Sequence, residues 1–353
     1  MYNENGYQYQ LNFMGEIMKK IWGIIVLISI VIALTACGNK EASNKNQENS
    51  NKQSNVVATD APDAANASNN TEVSINVDET RVQELQAQFG QEKPAKAVTL
   101  SVAITELYDA LQLDLVGVPT TQSELPDSYA NVQRVGSSHS PDLEQIAKLE
   151  PNIVLAPASI KDSIDKVLKP SGIPAAYLPV DSLDELKESL VTLGRIYGKE
   201  DQAKEVLTTF TNAEAEALKV IEGKSAPSVM FLFGSVESLM LMNEDTFAGS
   251  LAKKLGASNV LSSVLKQSET YVPLNMESIV EANPDVILLV AHGDPTAVAQ
   301  KFEEDVKKNG VWEKLDAFKN GKMVTLDYNL YGVASLVKAP DAYKDLAAIL
   351  YNN

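Results

Sequence analysis

The stretch Leu274–Asp294, LNMESIVEANPDVILLVAHGD, has a near twin earlier in the chain, LEQIAKLEPNIVLAPAS over Leu143–Ser159. Glu144 aligns with Glu277, Ile146 with Ile279, Pro151 with Pro284, Leu155 with Leu288 and Ala158 with Ala291, each pair 133 positions apart. Both copies read alike: a polar start, a short helix with apolar spacing, a proline that stops it, then an unbroken apolar run of strand length. In the second copy that run is Val286–Val290, and His292 stands where it ends. A repeat at this distance is far too long for a solenoid. It constrains the chain to two related α/β lobes.

The 353 residues are enough for two domains. In the first lobe the pattern predicts strands at Val98–Leu100, Leu113–Val118, Ile153–Leu155 and Ala175–Pro179. Helices are predicted at Ala103–Leu111 with Ser101 as N-cap, and at Asp162–Leu168. Ser140-Pro141-Asp142 reads as a further helix start, with Ser at N-cap, Pro at N1 and an acid in the first turn. Ser182 and Glu185 form a capping box ahead of a helix that ends at Gly198. Asp201–Glu222 then reads as one uninterrupted helix of ~33 Å at 1.5 Å per residue, a stiff connector between the repeats. The second lobe is predicted to contain strands Ser228–Phe233 and Met323–Asp327. Its helices are Thr246–Leu255, the repeated segment, Val298–Lys308, Trp312–Ala317 and Pro340–Tyr351. Strands alternating with helices imply an α/β class: two Rossmann-like lobes with mainly parallel sheets. The lobes span 96–198 and 225–353, joined by a single long helix within 199–224.

Residues 1–36 read as an exported leader. Lys19 and Lys20 precede the uncharged apolar stretch Ile21–Ala36, which is short of the ~20 residues that span a bilayer. It ends Leu34-Thr35-Ala36-Cys37-Gly38, similar to a bacterial lipobox, so Cys37 is expected to be lipidated at the extracytoplasmic face of the cell membrane. Translation from Met14 or Met18 would fit the leader equally. The only cysteine being acylated, disulfides and thiolate metal sites are excluded. Residues 37–95 are read as a disordered tether, because 39–71 hold almost nothing to bury. Val82, Leu85 and Phe89 have the spacing of a weak helix, but polar flanks and Pro94 leave 72–94 as linker. The net charge of −17 argues against nucleic acid or an anionic lipid surface as partner.

No GxSxG, P-loop, GxGxxG or reactive cysteine is present, and two histidines are too few for a His-dependent hydrolase, so no enzyme is expected. Those two, His139 and His292, each lie beside one copy of the repeat. Either alone is as readily a solvated loop side chain. Together, on lobes that face each other, they could hold one ligand from both sides. Zinc would need at least a third ligand, whereas an iron porphyrin needs two, on opposite faces. The helix starts at Ser101 and Ser140 offer amides and positive dipole ends suited to carboxylates. Glu144 and Glu277 sit in first turns, where the dipole favours acids in any case. They also suit docking, one per lobe, onto basic pockets of a membrane partner.

Several motifs carry a resemblance: VGVPTT with LPDSY (Val116–Tyr129), VGSSHSPDLEQIAKLEPNIVL (Val135–Leu155), SIKD (Ser159–Asp162), NMESIVEANPDVILLVAHGDP (Asn275–Pro295) and VWEKLDAFKNGKMVTLD (Val311–Asp327). From about Ala97 onward the chain resembles the substrate-binding lipoproteins of the iron-siderophore, cobalamin and haem class that serve ABC importers. Within that class it is most similar to the haem-binding members of Gram-positive Isd-type systems. The resemblance implies haem, as transported ligand, in a cleft that closes modestly. The iron would be held by His292 and, where those relatives usually have a Met, by His139. It further implies propionate or pocket contacts at Ser101, Val102, Ala103, Ser140, Lys161 and Tyr271, and permease docking through Glu144 and Glu277. The implied partners are an ABC permease with its ATPase and upstream haem-relay surface proteins, with the protein itself a monomer. Two rivals remain: an Fe(III)-siderophore or cobalamin binder on the same fold, and an adhesion or scaffolding lipoprotein with no small ligand.

Overall fold

The structure is a computed structural model that describes residues 77–90 and 93–351, all within one compact unit. The expected leader, Cys37 and the stretch 39–71 lie outside the described residues. The first described element is a helix, α1 (Glu79–Gln86), capped by the Asp78 carboxylate, which accepts from the amides of Thr80 and Arg81. This corrects the reading of 72–94 as linker. Val82, Leu85 and Phe89 are buried, and α1 lies against the helix that follows the first sheet. Arg81 pairs with Glu185 and Glu188, and Arg195 with Glu79.

The first lobe runs β1 (Ala97–Thr99), α2 (Val102–Ala110), β2 (Gly117–Val118), β3 (Gln133–Arg134), a hairpin of β4 (Gly136–Ser137) and β5 (Ser140–Pro141), α3 (Leu143–Leu149), β6 (Ile153–Pro157), α4 (Lys161–Leu168) and β7 (Ala175–Leu178). Its sheet, ordered β3-β2-β1-β6-β7, is parallel throughout. The edge at β7 is covered by Gln88, whose side-chain amide donates to the Tyr177 carbonyl at 3.0 Å and accepts from its N–H at 2.8 Å. This is the pairing a neighbouring strand would supply. The predicted second strand shrinks to two residues.

Helix α5 (Leu183–Tyr197) carries the predicted capping box and ends at left-handed Gly198. The connector is α6 (Glu200–Ile221), 22 residues without a break. The second lobe follows as β8 (Ser228–Gly234), β9 (Leu239–Met242), α7 (Phe247–Lys254), β10 (Ser258–Asn259), α8 (Val260–Ser263), β11 (Tyr271–Pro273), α9 (Met276–Ala282), β12 (Val286–Ala291), α10 (Pro295–Lys308), α11 (Asp316–Lys319), β13 (Met323–Thr325), α12 (Tyr328–Tyr331) and α13 (Ala339–Tyr351). Its sheet runs β11-β9-β8-β12-β13, with β10 beside the start of β8. Here β9 and β11 are antiparallel additions to an otherwise parallel set. The predicted helix Trp312–Ala317 is a 3₁₀ turn at Trp312–Lys314 followed by α11.

The repeat holds residue by residue. Asp142 caps α3 and Asn275, 133 positions on, caps α9, each side chain accepting from the amide two residues later. Both helices end on a non-glycine residue in the left-handed region, Glu150 (φ 49°) and Asn283 (φ 36°), just before the matched prolines. The strands then start in step at Ile153 and Val286.

A candidate ligand cleft between the lobes

Ligands of open α/β sheets bind beyond the carboxyl ends of the strands, and both histidines stand there. His292 is the first residue past β12, and its N–H donates to the Gly234 carbonyl at 2.7 Å, extending the ladder beyond the Ala291–Gly234 pair. His139 is exposed at the tip of the β4–β5 hairpin, whose strands pair Gly136 with Pro141 and Ser137 with Ser140. Gly136 has φ +87°, and a Cβ there would sit 2.6 Å from both the Ser140 carbonyl and the Asp142 amide. The hairpin is tied to the sheet by the Thr120 N–H bond to the Gly136 carbonyl, 2.8 Å.

This corrects the helix start predicted at Ser140. Ser140 and Pro141 are strand residues and Asp142 is the N-cap, because its carboxylate takes the amides of Glu144 and Gln145 while the proline continues an extended chain. Ser140 is exposed, with its N–H on the Ser137 hydroxyl, so it offers no helix N-terminus to an anion. Ser101 does occupy the N-cap of α2, but its side chain makes no capping bond. The first-turn amides around Val102 and Ala103 are therefore without a side-chain cap.

On the second lobe, Phe233 joins the other aromatic groups. Its ring centroid lies 5.0 Å from that of His292 and 5.3 Å from that of Tyr271. Sequence reasoning passed over Phe233, since an aromatic in an apolar strand reads as core. The His292 side chain is exposed at its turn, yet desolvation by its surroundings holds the imidazole below its usual value, and the charge His139 would carry lowers it further. Tyr271 is 43% exposed, but desolvation by its surroundings, then the Asp181 carboxylate of the first lobe, push its phenol up to about 12. Asp181, also exposed, is raised by desolvation, partly offset by the Ser159 hydroxyl at 3.3 Å. At the rim, the Ser123 and Tyr328 hydroxyls approach to 3.5 Å, and Lys338 pairs with the buried Glu106 at 3.3 Å.

The remaining predicted residues lie apart from this group. The Lys161 ammonium contacts Asp165 at 2.6 Å and lies 4.1 Å from the Tyr177 ring centroid. Glu144 and Glu277 are exposed on α3 and α9, and Lys148 pairs with Glu144 at 2.7 Å. Among the described residues, no cluster of three or more His, Cys, Asp or Glu could hold a bare metal ion.

The sequence profile of the periplasmic binding proteins matches residues 98–330. The chain belongs to the periplasmic binding protein family. Members of this family are substrate-binding proteins rather than enzymes, and this chain is one of those that serve ABC importers. The high-affinity heme uptake system protein IsdE of Staphylococcus aureus is 30% identical over 73% of this chain and 88% of its own length. The crystal structure of IsdE complexed with heme superposes with a TM-score of 0.68 at 29% identity, covering 73% of this chain and 99% of that one. An ABC transporter substrate-binding protein from Listeria monocytogenes gives the same TM-score at 33% identity, covering 74% and 100%. SirA of S. aureus, solved with staphyloferrin B, shares the fold at 23% identity and a TM-score of 0.61, covering 74% and 94%. The fold is the type III periplasmic binding fold, and the two α/β lobes with mainly parallel sheets expected from sequence are the ones observed.

Proposed function

We propose that this periplasmic binding protein carries haem, with the iron held axially by His139 and His292, and delivers it to an ABC permease and its ATPase. One observation carries the reading. The chain's only two histidines stand on strand-end turns of opposite lobes, His292 just past β12 and His139 at the tip of the β4–β5 hairpin. A porphyrin iron asks for two donors on opposite faces, and IsdE, the relative named above, is a heme uptake protein. Two imidazoles form a harder donor pair than the Met and His that the resemblance implies for related proteins, so the iron should favour Fe(III).

The rest of the assignment follows from this. The uncapped first turn at Ser101–Ala103 suits a propionate, and Tyr271 lines the cleft. Glu144 and Glu277, at matched positions of the two lobes, would dock onto basic pockets of the permease. Cys37 would anchor the protein by lipid to the outer face of the cell membrane, where upstream haem-relay proteins could load it.

A haem titration tests the reading. The protein should give a six-coordinate low-spin ferric spectrum with a shifted Soret band. His139→Ala and His292→Ala, made singly, should each convert it to a five-coordinate or water-ligated form. An unaltered Soret band in both variants would refute the ligand assignment. A wild-type protein that binds a ferric siderophore and no haem would refute the ligand class.

A further inference from the structure

Phe233 is the next-to-last residue of β8 and pairs with Val290 of β12 and Met240 of β9. Along the strand its side chain shares a face with Phe231, which is 1% exposed in the core common to both lobes. Phe233 is only partly buried, near the carboxyl end of the strand. Two rings lie beside it. The His292 imidazole is tilted 37° to its plane, and Tyr271 braces it at 60°.

The backbone beneath is equally constrained. A Cβ on Gly234 would stand 2.8 Å from Leu289 and 2.9 Å from Val298, so the end of β8 is pressed against β12 and α10. The His292 N–H then returns to the Gly234 carbonyl. His292 is therefore held at the backbone by Gly234, and its exposed ring lies beside Phe233. The core alone would be served by a leucine at position 233. A flat ring adds a face against which a second flat ring settles in a preferred orientation.

We infer that Phe233 is a positioning residue, setting the plane of the His292 imidazole before the ligand arrives. The inference rests on the haem reading above and extends it to a residue that touches the iron's ligand rather than the iron. An imidazole on a free turn must give up rotamer freedom when it ligates, and one already held in place gives up less. The gain should appear in the rate of ligand loss rather than of capture.

The experiment compares the full-length chain with Phe233→Leu and Phe233→Tyr. Electron paramagnetic resonance of the ferric complex reads imidazole orientation through the spread of the low-spin g values. Transfer to excess apomyoglobin reads haem loss. Phe233→Leu should change the g spread and speed haem loss by about 3- to 10-fold, the range expected for freeing one side chain. Its ligand-free melting temperature should stay near wild type, and Phe233→Tyr should restore both readouts. A leucine variant with wild-type g values and wild-type haem loss overturns the inference.

Should leucine prevent folding, proton NMR of the ligand-free wild type decides. The His292 ring protons should lie upfield of their random-coil positions through the Phe233 ring current, and normal shifts overturn the inference. If wild type gives no low-spin haem complex at all, the haem reading has failed. The NMR result then still reports whether Phe233 holds the His292 ring.

Discussion

For a His292 that ligates iron as proposed, protonation and ligation would compete for one nitrogen lone pair. Only the neutral imidazole ligates, so haem is expected to be lost as pH falls. Because the folded-state pKa is depressed, first by burial and second by His139, the neutral form persists below the usual imidazole value of about 6.5. The Soret band of the complex should therefore hold from pH 8 to below about 6.5 and collapse only at more acid pH. An undiminished band at pH 5 would argue against imidazole ligation. At this scale the sequence was half legible. Two histidines in so long a chain were conspicuous, and their places beside the repeat put them at strand ends. Phe233 was hidden because its role depends on what lies across the sheet, and residue type alone makes it core. Ser140 misled for a related reason. Ser-Pro-Asp contains two residues able to cap, and the tight turn at Gly136 decided for Asp142 by drawing Ser140 and Pro141 into a hairpin.

Among elements, the paired segments were the most legible, since cap, helix, left-handed stop, proline and buried strand are all set locally. Strands β9 and β11 were not. The run Leu239–Met242 has no polar alternation to mark it, and Tyr271–Pro273 is three residues long. Only their pairing with each other and with β8 makes them strands. Helix α1 failed to register for the opposite reason: it is mostly polar, and its stability comes from distant partners. Gln88 closes the β7 edge, Arg81 and Glu79 pair with α5, and Val82 and Leu85 bury their side chains. An element held by packing should respond to a packing change. Leu85→Ala should destabilise the first lobe by about 2 kcal/mol, the lower end for a buried leucine at the margin of a core. That corresponds to a melting temperature lower by roughly 3–4 °C, at about 2.1 cal/mol/K per folded residue. Were α1 a passive tether, calorimetry would show no change.

Across the whole molecule, the lobes are joined by more than a connector. A single buried cluster contains Leu190 of the first lobe, Phe210 of α6, and Phe231, Leu288 and Tyr343 of the second. Helix α6 is gripped from the second lobe by α13, where the Phe210 and Tyr343 rings lie 5.7 Å apart and the Tyr343 hydroxyl donates to Glu214 at 2.7 Å. A hinge that opened widely would have to expose part of this shared core. At ~25 cal/mol per Å² of apolar surface, a few hundred Å² would absorb several kcal/mol. The cleft should accordingly be nearly preformed, and haem should enter by small adjustments of the two turns that carry the histidines. Spin labels on Asp162 and Lys301, exposed residues of α4 and α10, would report the distance between the lobes. Pulsed dipolar spectroscopy should find that distance changed by less than about 2 Å on loading with haem, within the range of preorganised binding sites. A larger shift would mean that the shared core divides on closure, and that the free energy of binding is drawn on to rejoin it.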